Sequence, residues 1–205
     1  MQPSLLSEKY GAIHKHVLQM LNNKLSPKLS YHSVAHTLDV LGQAIRIAGE
    51  ENIHREEDLF VLKVATLYHD TGFIFSYNGH EEKSWELAEK ELPEFGINSK
   101  QLSRIHGLIT ATHIPQLPKN HLERIICDAD LDYLGRDDFF PIAKLLFKEL
   151  LTLNMVKNEQ DWNLIQVRFL SSHHYFTENS IKLRSKKEAA HLAALQKVVN
   201  AYPAS

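Results

Sequence analysis

From Tyr10 to Val199 the apolar residues of this chain recur at intervals of three and four, and no stretch alternates apolar with polar over a strand's length. Ile13, Val17, Leu18 and Leu21 share one face of a helix over about residues 10–21, which the Ser26-Pro27 pair interrupts. Val34, Leu38, Leu41 and Ile45 repeat over about 32–48, with Gly49 as the stop. Glu56, Glu57 and Asp58 suit the positive end of a third helix. That helix carries Leu59, Leu62, Val64 and Ala65 up to His69-Asp70 and breaks at Gly72. A loop over Phe73–Tyr77 and an Asn78-Gly79 turn lead to a helix through Trp85 and Leu87, ended by Pro93. Ser99 and Asn120 read as caps of the next two helices, and Asp137 or Asp138 and Asp161 open two more. Leu145, Leu150 and Leu151 mark the apolar face of the first of these, Trp162, Ile165 and Phe169 that of the second. A last amphipathic helix is expected over about Ser185–Val199. The expectation is an all-α protein.

At 205 residues the chain can bury a sizeable core, and with no linker, repeat or biased stretch it reads as one domain over 1–205. A formal charge of −2 gives no electrostatic footprint for nucleic acid or an anionic membrane. The single cysteine, Cys127, excludes an internal disulfide and fits a reducing compartment. No apolar run is long enough to span a bilayer and no basic-then-apolar leader is seen, so a cytoplasmic location is expected.

Thirteen histidines are many, so only position and spacing single one out. His36 stands near the start of one expected helix, His69-Asp70 at the end of another and Asp130 near the end of a third. Helix ends are where polar side chains converge without interrupting an apolar core. Two imidazoles and two carboxylates suit a divalent metal that also holds a water or a phosphate oxygen. Neighbours His69 and Asp70 would point about 100° apart on a continuous helix, so sharing one ion requires the helix to unwind there. Gly72 makes that unwinding feasible. His14 and His16 cannot share a helix face, and His173-His174 reads as a helix end.

The order H…HD…D resembles the HD superfamily of metal-dependent phosphohydrolases. The likeness covers roughly residues 28–138, with the helices of 139–205 completing an HD-type helical bundle. It rests on Tyr31-His32-x-x-x-His36-Thr37, Leu67-Tyr68-His69-Asp70-Thr71-Gly72, His80-Glu81-x-x-Ser84, Leu108-Ile109-x-Ala111-Thr112 and Asp128-Ala129-Asp130-Leu131-Asp132-x-Leu134-Gly135. By motif position the first metal histidine falls on His36, not His32, and the terminal aspartate on Asp130. Asp128 and Asp132 are then supporting or capping groups. The resemblance also implies extra histidines in some members that hold a second metal bridged by the aspartate of the pair. His80 occupies the first such position, and His113, or less readily His106, could supply the second. Glu81 or Glu82 is the candidate general base, with Asp70 beside it in the chemistry.

Two departures narrow the reading. The acidic pair that follows His-Asp in alarmone hydrolases is replaced by Phe73-Ile74-Phe75, and the Gly-Tyr-Pro of cyclic-di-GMP-cleaving relatives is absent. Phe73, Phe75 and Tyr77 could stack on a base or pack into the core. The expected activity is metal-dependent hydrolysis of a small phosphomonoester or phosphodiester, a nucleotide or related compound. One or two ions per chain are expected, Mn²⁺, Fe²⁺, Co²⁺ or Zn²⁺ in preference to Mg²⁺. The alternatives are a di-iron oxygenase-type enzyme and a non-catalytic nucleotide-binding regulator. No nucleic-acid or membrane partner is expected, and the sequence does not fix the oligomeric state.

Overall fold

A computed structural model of the chain describes residues 4–203. Among these residues it contains nine α-helices, three short 3-10 turns and no strand. Contacts divide the chain into two compact units. The first comprises the described residues through Ser26 and His32–Asp130; the second comprises 27–31 and the residues from Leu131 onward.

The first unit holds α1 (Leu5–Lys24), α2 (Val34–Glu50), α3 (Glu56–Tyr68), α4 (His80–Glu91), α5 (Ser99–Ala111) and α6 (His121–Asp130). α3 is its axis, because Phe60, Val61, Leu62, Val64, Ala65, Leu67 and Tyr68 are all buried, and α1, α2 and α5 pack around it. A helix apolar on every side has to lie inside. α2 departs from the expected face: Leu38 and Ile45 are exposed, while Thr37, Val40, Leu41, Ala44, Ile47 and Ala48 are buried. Its buried stripe is rotated by about one residue, toward small side chains that admit close packing against α3 and α6. Gly49 lies inside α2; the left-handed residue after it is Asn52, at φ 59°. The helix expected from Ser99 is capped by Asn98, whose side chain exchanges hydrogen bonds with Gln101 in a capping box. Asn120 accepts from the Glu123 N–H at the start of α6, as expected of a cap.

The second unit holds a 3-10 turn at Asp132–Gly135, then α7 (Phe139–Thr152), α8 (Glu159–Ser172) and α9 (Glu178–Asn200). α9 starts well before the expected Ser185, capped by Thr177. Leu150 and Trp162 are buried as expected, whereas Leu145, Leu151 and Ile165 are exposed. Polar groups hold this unit together. The fully buried Glu149 accepts from the Tyr31 N–H at 2.8 Å, and Arg184 grips Asp132 with two bonds of 2.9 and 3.0 Å.

Gly72 acts differently from its expected use as a helix breaker. Its φ is not in the left-handed region, and the chain has already left the helix at Asp70 (φ −107°, ψ 5°). It is needed for space: a Cβ there would stand 1.8 Å from the His80 carbonyl oxygen and 2.8 Å from the Ser84 nitrogen. Gly72→Ala is therefore expected to cost at least about 2 kcal/mol in urea denaturation. Gly11→Ala, on an exposed helix position with nothing near the added methyl, should be neutral or stabilising by about 0.5–1 kcal/mol. Equal effects at the two positions would refute the packing role of Gly72.

Candidate metal centre

Each site residue sits at a helix end. Ser33 caps α2, accepting from the His36 N–H at 3.5 Å, which sets His36 in the first turn. His69 follows the last residue of α3, Asp70 lies one step beyond, and Asp130 is the last residue of α6. The predicted unwinding between His69 and Asp70 is present, and it turns both side chains to one point. His36 Nε2 lies 3.3 Å from Asp70 Oδ2 and 3.2 Å from Asp130 Oδ1. His69 Nε2 lies 3.4 Å from each of the same two oxygens. Among the described residues, the group whose ligating atoms lie within 4.8 Å of one another is His36, His69 and Asp130. Asp70 faces both imidazoles of that group. The side chains are 8%, 0%, 10% and 15% exposed for His36, His69, Asp70 and Asp130.

The tautomer of His69 can be derived. Its Nδ1 is 2.7 Å from the Thr66 carbonyl oxygen, which can only accept, so Nδ1 carries the hydrogen. In the neutral ring the lone pair is then on Nε2, facing two carboxylate oxygens. His69 Nε2 and Asp70 Oδ2 are both buried without a hydrogen-bond partner. Acceptors facing acceptors in a buried site need a proton or a cation between them. The donor set and these orphaned atoms fit a divalent cation, and the carbonyl that orients His69 is the usual outer partner of a ligating imidazole.

Burial alone would push the His36 pKa down, but the carboxylates of Asp130 and Asp70, 3.2 and 3.3 Å from its Nε2, outweigh it and raise the value to about 10. His69 moves in the same direction, burial again being overcome by Asp70 and Asp130. Burial would raise the two carboxylates, yet His69, His36 and His80 hold Asp70 well below its ordinary value, and His36 and His69 hold Asp130 at about 2.

His80 opens α4 with Nε2 3.4 Å from Asp70 Oδ1 and Nδ1 3.2 Å from the Tyr77 carbonyl oxygen. Glu81 Oε2 is 3.5 Å from His80 Nδ1, and Glu81 is 12% exposed. His113 is exposed in the bend after α5 and is not in the convergent group, while His106 stacks on Trp85 at 4.3 Å. Asp128 is fully buried on α6, and Asp132 is engaged by Arg184 in the second unit.

One contributor, Ser84, is given no role by the sequence alone. Ser84 Oγ accepts from the Gly72 N–H at 2.8 Å and donates to the His69 carbonyl at 2.6 Å, tying α4 to the turn that carries the pair. Its place in His80-Glu81-x-x-Ser84 was the available signal. Of the aromatics named in the sequence, Phe73 is buried and stacked on His32 and His80, whereas Phe75 is 59% exposed.

Residues 34–132, the stretch that contains all four residues of the cluster, match the family model for the HD domain. The matched stretch, about half of the chain, belongs to the HD superfamily. The structure of the chain is similar to Bacillus subtilis YpgQ in complex with ADP, at 17% identity over 98% of each chain with a TM-score of 0.68. It is also similar to a predicted HD superfamily hydrolase from an uncultured Thermotogales bacterium, at 19% identity over 91% of each chain and a TM-score of 0.59. A Lactobacillus plantarum protein resembles it at 13% identity, over 95% of this chain and 98% of that one, with a TM-score of 0.62. At these identities the likeness is one of fold. No curated protein matches the chain in sequence. No helix among the described residues is long and apolar enough to cross a membrane.

Without a cation, protonated His36 contributes stability that is complete below its ordinary value of 6.5 and is lost as pH rises through about 10. Ionised Asp130 contributes stability that is complete above 3.8 and is lost as pH falls through about 2. A cation requires the imidazoles neutral, so it competes with their protons. The gap in Tm between Mn²⁺-saturated and chelator-treated protein is expected to widen as pH rises from about 6 to about 9. Thermal melts across that range check it, and a constant gap would count against His36 and His69 as ligands.

Proposed function

We propose that the chain is a divalent-cation-dependent hydrolase of small phosphoesters, with a nucleotide or related compound as substrate. The observation that carries this reading is the buried face-off between His69 Nε2 and Asp70 Oδ2, two atoms without hydrogen-bond partners 3.4 Å apart. In this reading His36, His69, Asp70 and Asp130 hold the cation. Bound there, a divalent cation supplies Lewis acidity, drawing charge from a phosphoryl oxygen and lowering the pKa of a water toward neutrality. The mixed imidazole and carboxylate donors favour Mn²⁺, Fe²⁺, Co²⁺ or Zn²⁺ over Mg²⁺.

The remaining roles belong to residues around the cluster. Glu81, whose carboxylate lies 3.5 Å from His80 Nδ1, is the candidate to accept the proton of the attacking water. α2 and α4 both begin at the cluster, with His36 in the first turn of one and His80 as the first residue of the other. The positive end of α2, with no acidic residue in its first turn, favours a phosphate over an uncharged substrate, whereas Glu81 and Glu82 occupy that of α4. The similarity to YpgQ, which was solved with ADP, supports a nucleotide as that phosphate's carrier.

His80 follows the same tautomer logic as His69. Its Nδ1 faces a carbonyl that only accepts, so the neutral ring turns its lone pair on Asp70 Oδ1. That arrangement favours a second cation bridged by Asp70 over a bland loop histidine. His113, exposed and outside the convergent group, finds no such support as the partner ligand.

Elemental analysis and turnover of bis(p-nitrophenyl) phosphate and a nucleotide panel test the reading. Asp70→Ala is expected to keep the helical circular dichroism and to lose more than the about hundredfold that removal of an outer partner costs. Retained turnover in that variant would remove the His-Asp pair from the chemistry. His80→Ala is expected to lower metal content from about two to about one per chain. A constant metal content with raised KM and little change in kcat would make His80 a substrate contact instead. No change in either would return it to a structural role.

A further inference from the structure

The ring of Phe73 stacks on two imidazoles. Its centroid is 3.9 Å from His32 and 3.9 Å from His80, and its plane is within 24° and 21° of theirs. The two imidazole centroids are 6.2 Å apart. Tyr77 meets Phe73 edge-on at 5.1 Å, and His32 meets His36 edge-on at 5.9 Å. Phe73 is only 6% exposed, and it sits on the 3-10 turn Thr71–Ile74 that Gly72 docks against the start of α4. It therefore cannot serve as an open platform for a base.

His80 has one hydrogen bond that fixes a ring atom, from Nδ1 to the Tyr77 carbonyl. A single bond of that kind anchors Nδ1 but leaves the ring plane soft, because χ2 of histidine is a broad torsion. The direction in which Nε2 meets Asp70 Oδ1 depends on that plane. A flat partner at stacking distance removes the freedom, and His32, stacked on the same partner at 3.9 Å, packs it in place.

We propose that Phe73 is a positioning residue that acts through His80, holding its ring plane so that Nε2 stays aimed at Asp70; this rests on the reading of His80 given above. Phe73 touches neither substrate nor cation. A branched aliphatic side chain fills the same space without offering flat faces, so volume and stacking can be separated by substitution.

The test is a double-mutant cycle read by Mn²⁺ titration calorimetry and by turnover of bis(p-nitrophenyl) phosphate. Phe73→Leu is expected to weaken the Mn²⁺ binding that depends on His80, or to raise KM if His80 contacts substrate, by about tenfold or more. In the His80→Ala background the same substitution should change neither quantity. An equal loss in both backgrounds would show that Phe73 acts on its own, and wild-type behaviour of Phe73→Leu would show that stacking is dispensable. Either result overturns the proposal. Phe73→Met, with an adaptable unbranched chain, carries the same expectation if the leucine variant does not fold. If His80→Ala alone alters neither Mn²⁺ binding nor kinetics, the reading of His80 falls and this proposal with it. If His80→Ala has its effect and both Phe73 variants are silent, only the proposal falls.

Discussion

The hydrogen bond from the His69 ring to the Thr66 carbonyl is the contact on which the centre depends. A helix C-terminus leaves its last carbonyls without backbone donors. At the end of α3 side chains meet that need: Thr66 O is taken by His69 Nδ1, Tyr68 O by the Thr71 hydroxyl and His69 O by the Ser84 hydroxyl. The same bonds that terminate the helix choose the imidazole tautomer and aim its lone pair inward. Because Ser84 also accepts from the Gly72 N–H, the termination of α3 and the docking of α4 are one event. A side chain larger than hydrogen at residue 72 would push on the carbonyl of His80, the first residue of α4. Packing and chemistry are thus coupled through a few atoms around one turn.

The legible part of the sequence was the part that repeats or that carries unusual chemistry. Intervals of three and four revealed most of the helices, whereas α4 was read from its boundaries, the Asn78-Gly79 turn and Pro93. The four cluster residues stood out because imidazoles and carboxylates at the ends of three apolar segments have no good structural use. The rotation of α2 was not legible, because Leu38 and Ile45 look more core-like than Thr37, Ala44 and Ala48. Hydrophobicity ranks side chains by transfer, whereas close helix packing selects small ones that fit. The early start of α9 was hidden for a related reason. Its first two turns are mostly polar, and the cap at Thr177 is a local contact that gives no periodic signal.

Gly72 and Phe73 show a different kind of blindness. Sequence identifies a glycine as a breaker or a turn, yet here the backbone is ordinary and the missing Cβ makes room for α4. An aromatic beside a metal motif suggests base stacking, yet Phe73 is buried and already stacked on two imidazoles. Both roles are pairings between residues of separate segments, and single-chain patterns do not report pairings. Ser84 falls between the two cases: its spacing from His80 marked it, but only the structure connects it to His69 and Gly72.

Charge placement in the cluster runs against the helix dipoles, which gives an argument for the cation independent of ligand geometry. Asp130 ends α6 and Asp70 lies just beyond α3, where the dipoles present negative ends. His36 and His80 lie in the first turns of α2 and α4, where the ends are positive and a charged imidazole is disfavoured. Each such misplacement costs about 0.3–1 kcal/mol at an exposed helix end. A chain that needed only a stable bundle would place acids at the starts and bases at the ends, as Glu56, Glu57 and Asp58 do at the start of α3. Two negative helix ends with two carboxylates make a cation well, and the positive end of α2 beside it, free of acidic residues, makes a place for an anion. A cation-bound phosphoester answers both demands. Protons alone answer only the first, by charging imidazoles at helix ends that already carry positive potential.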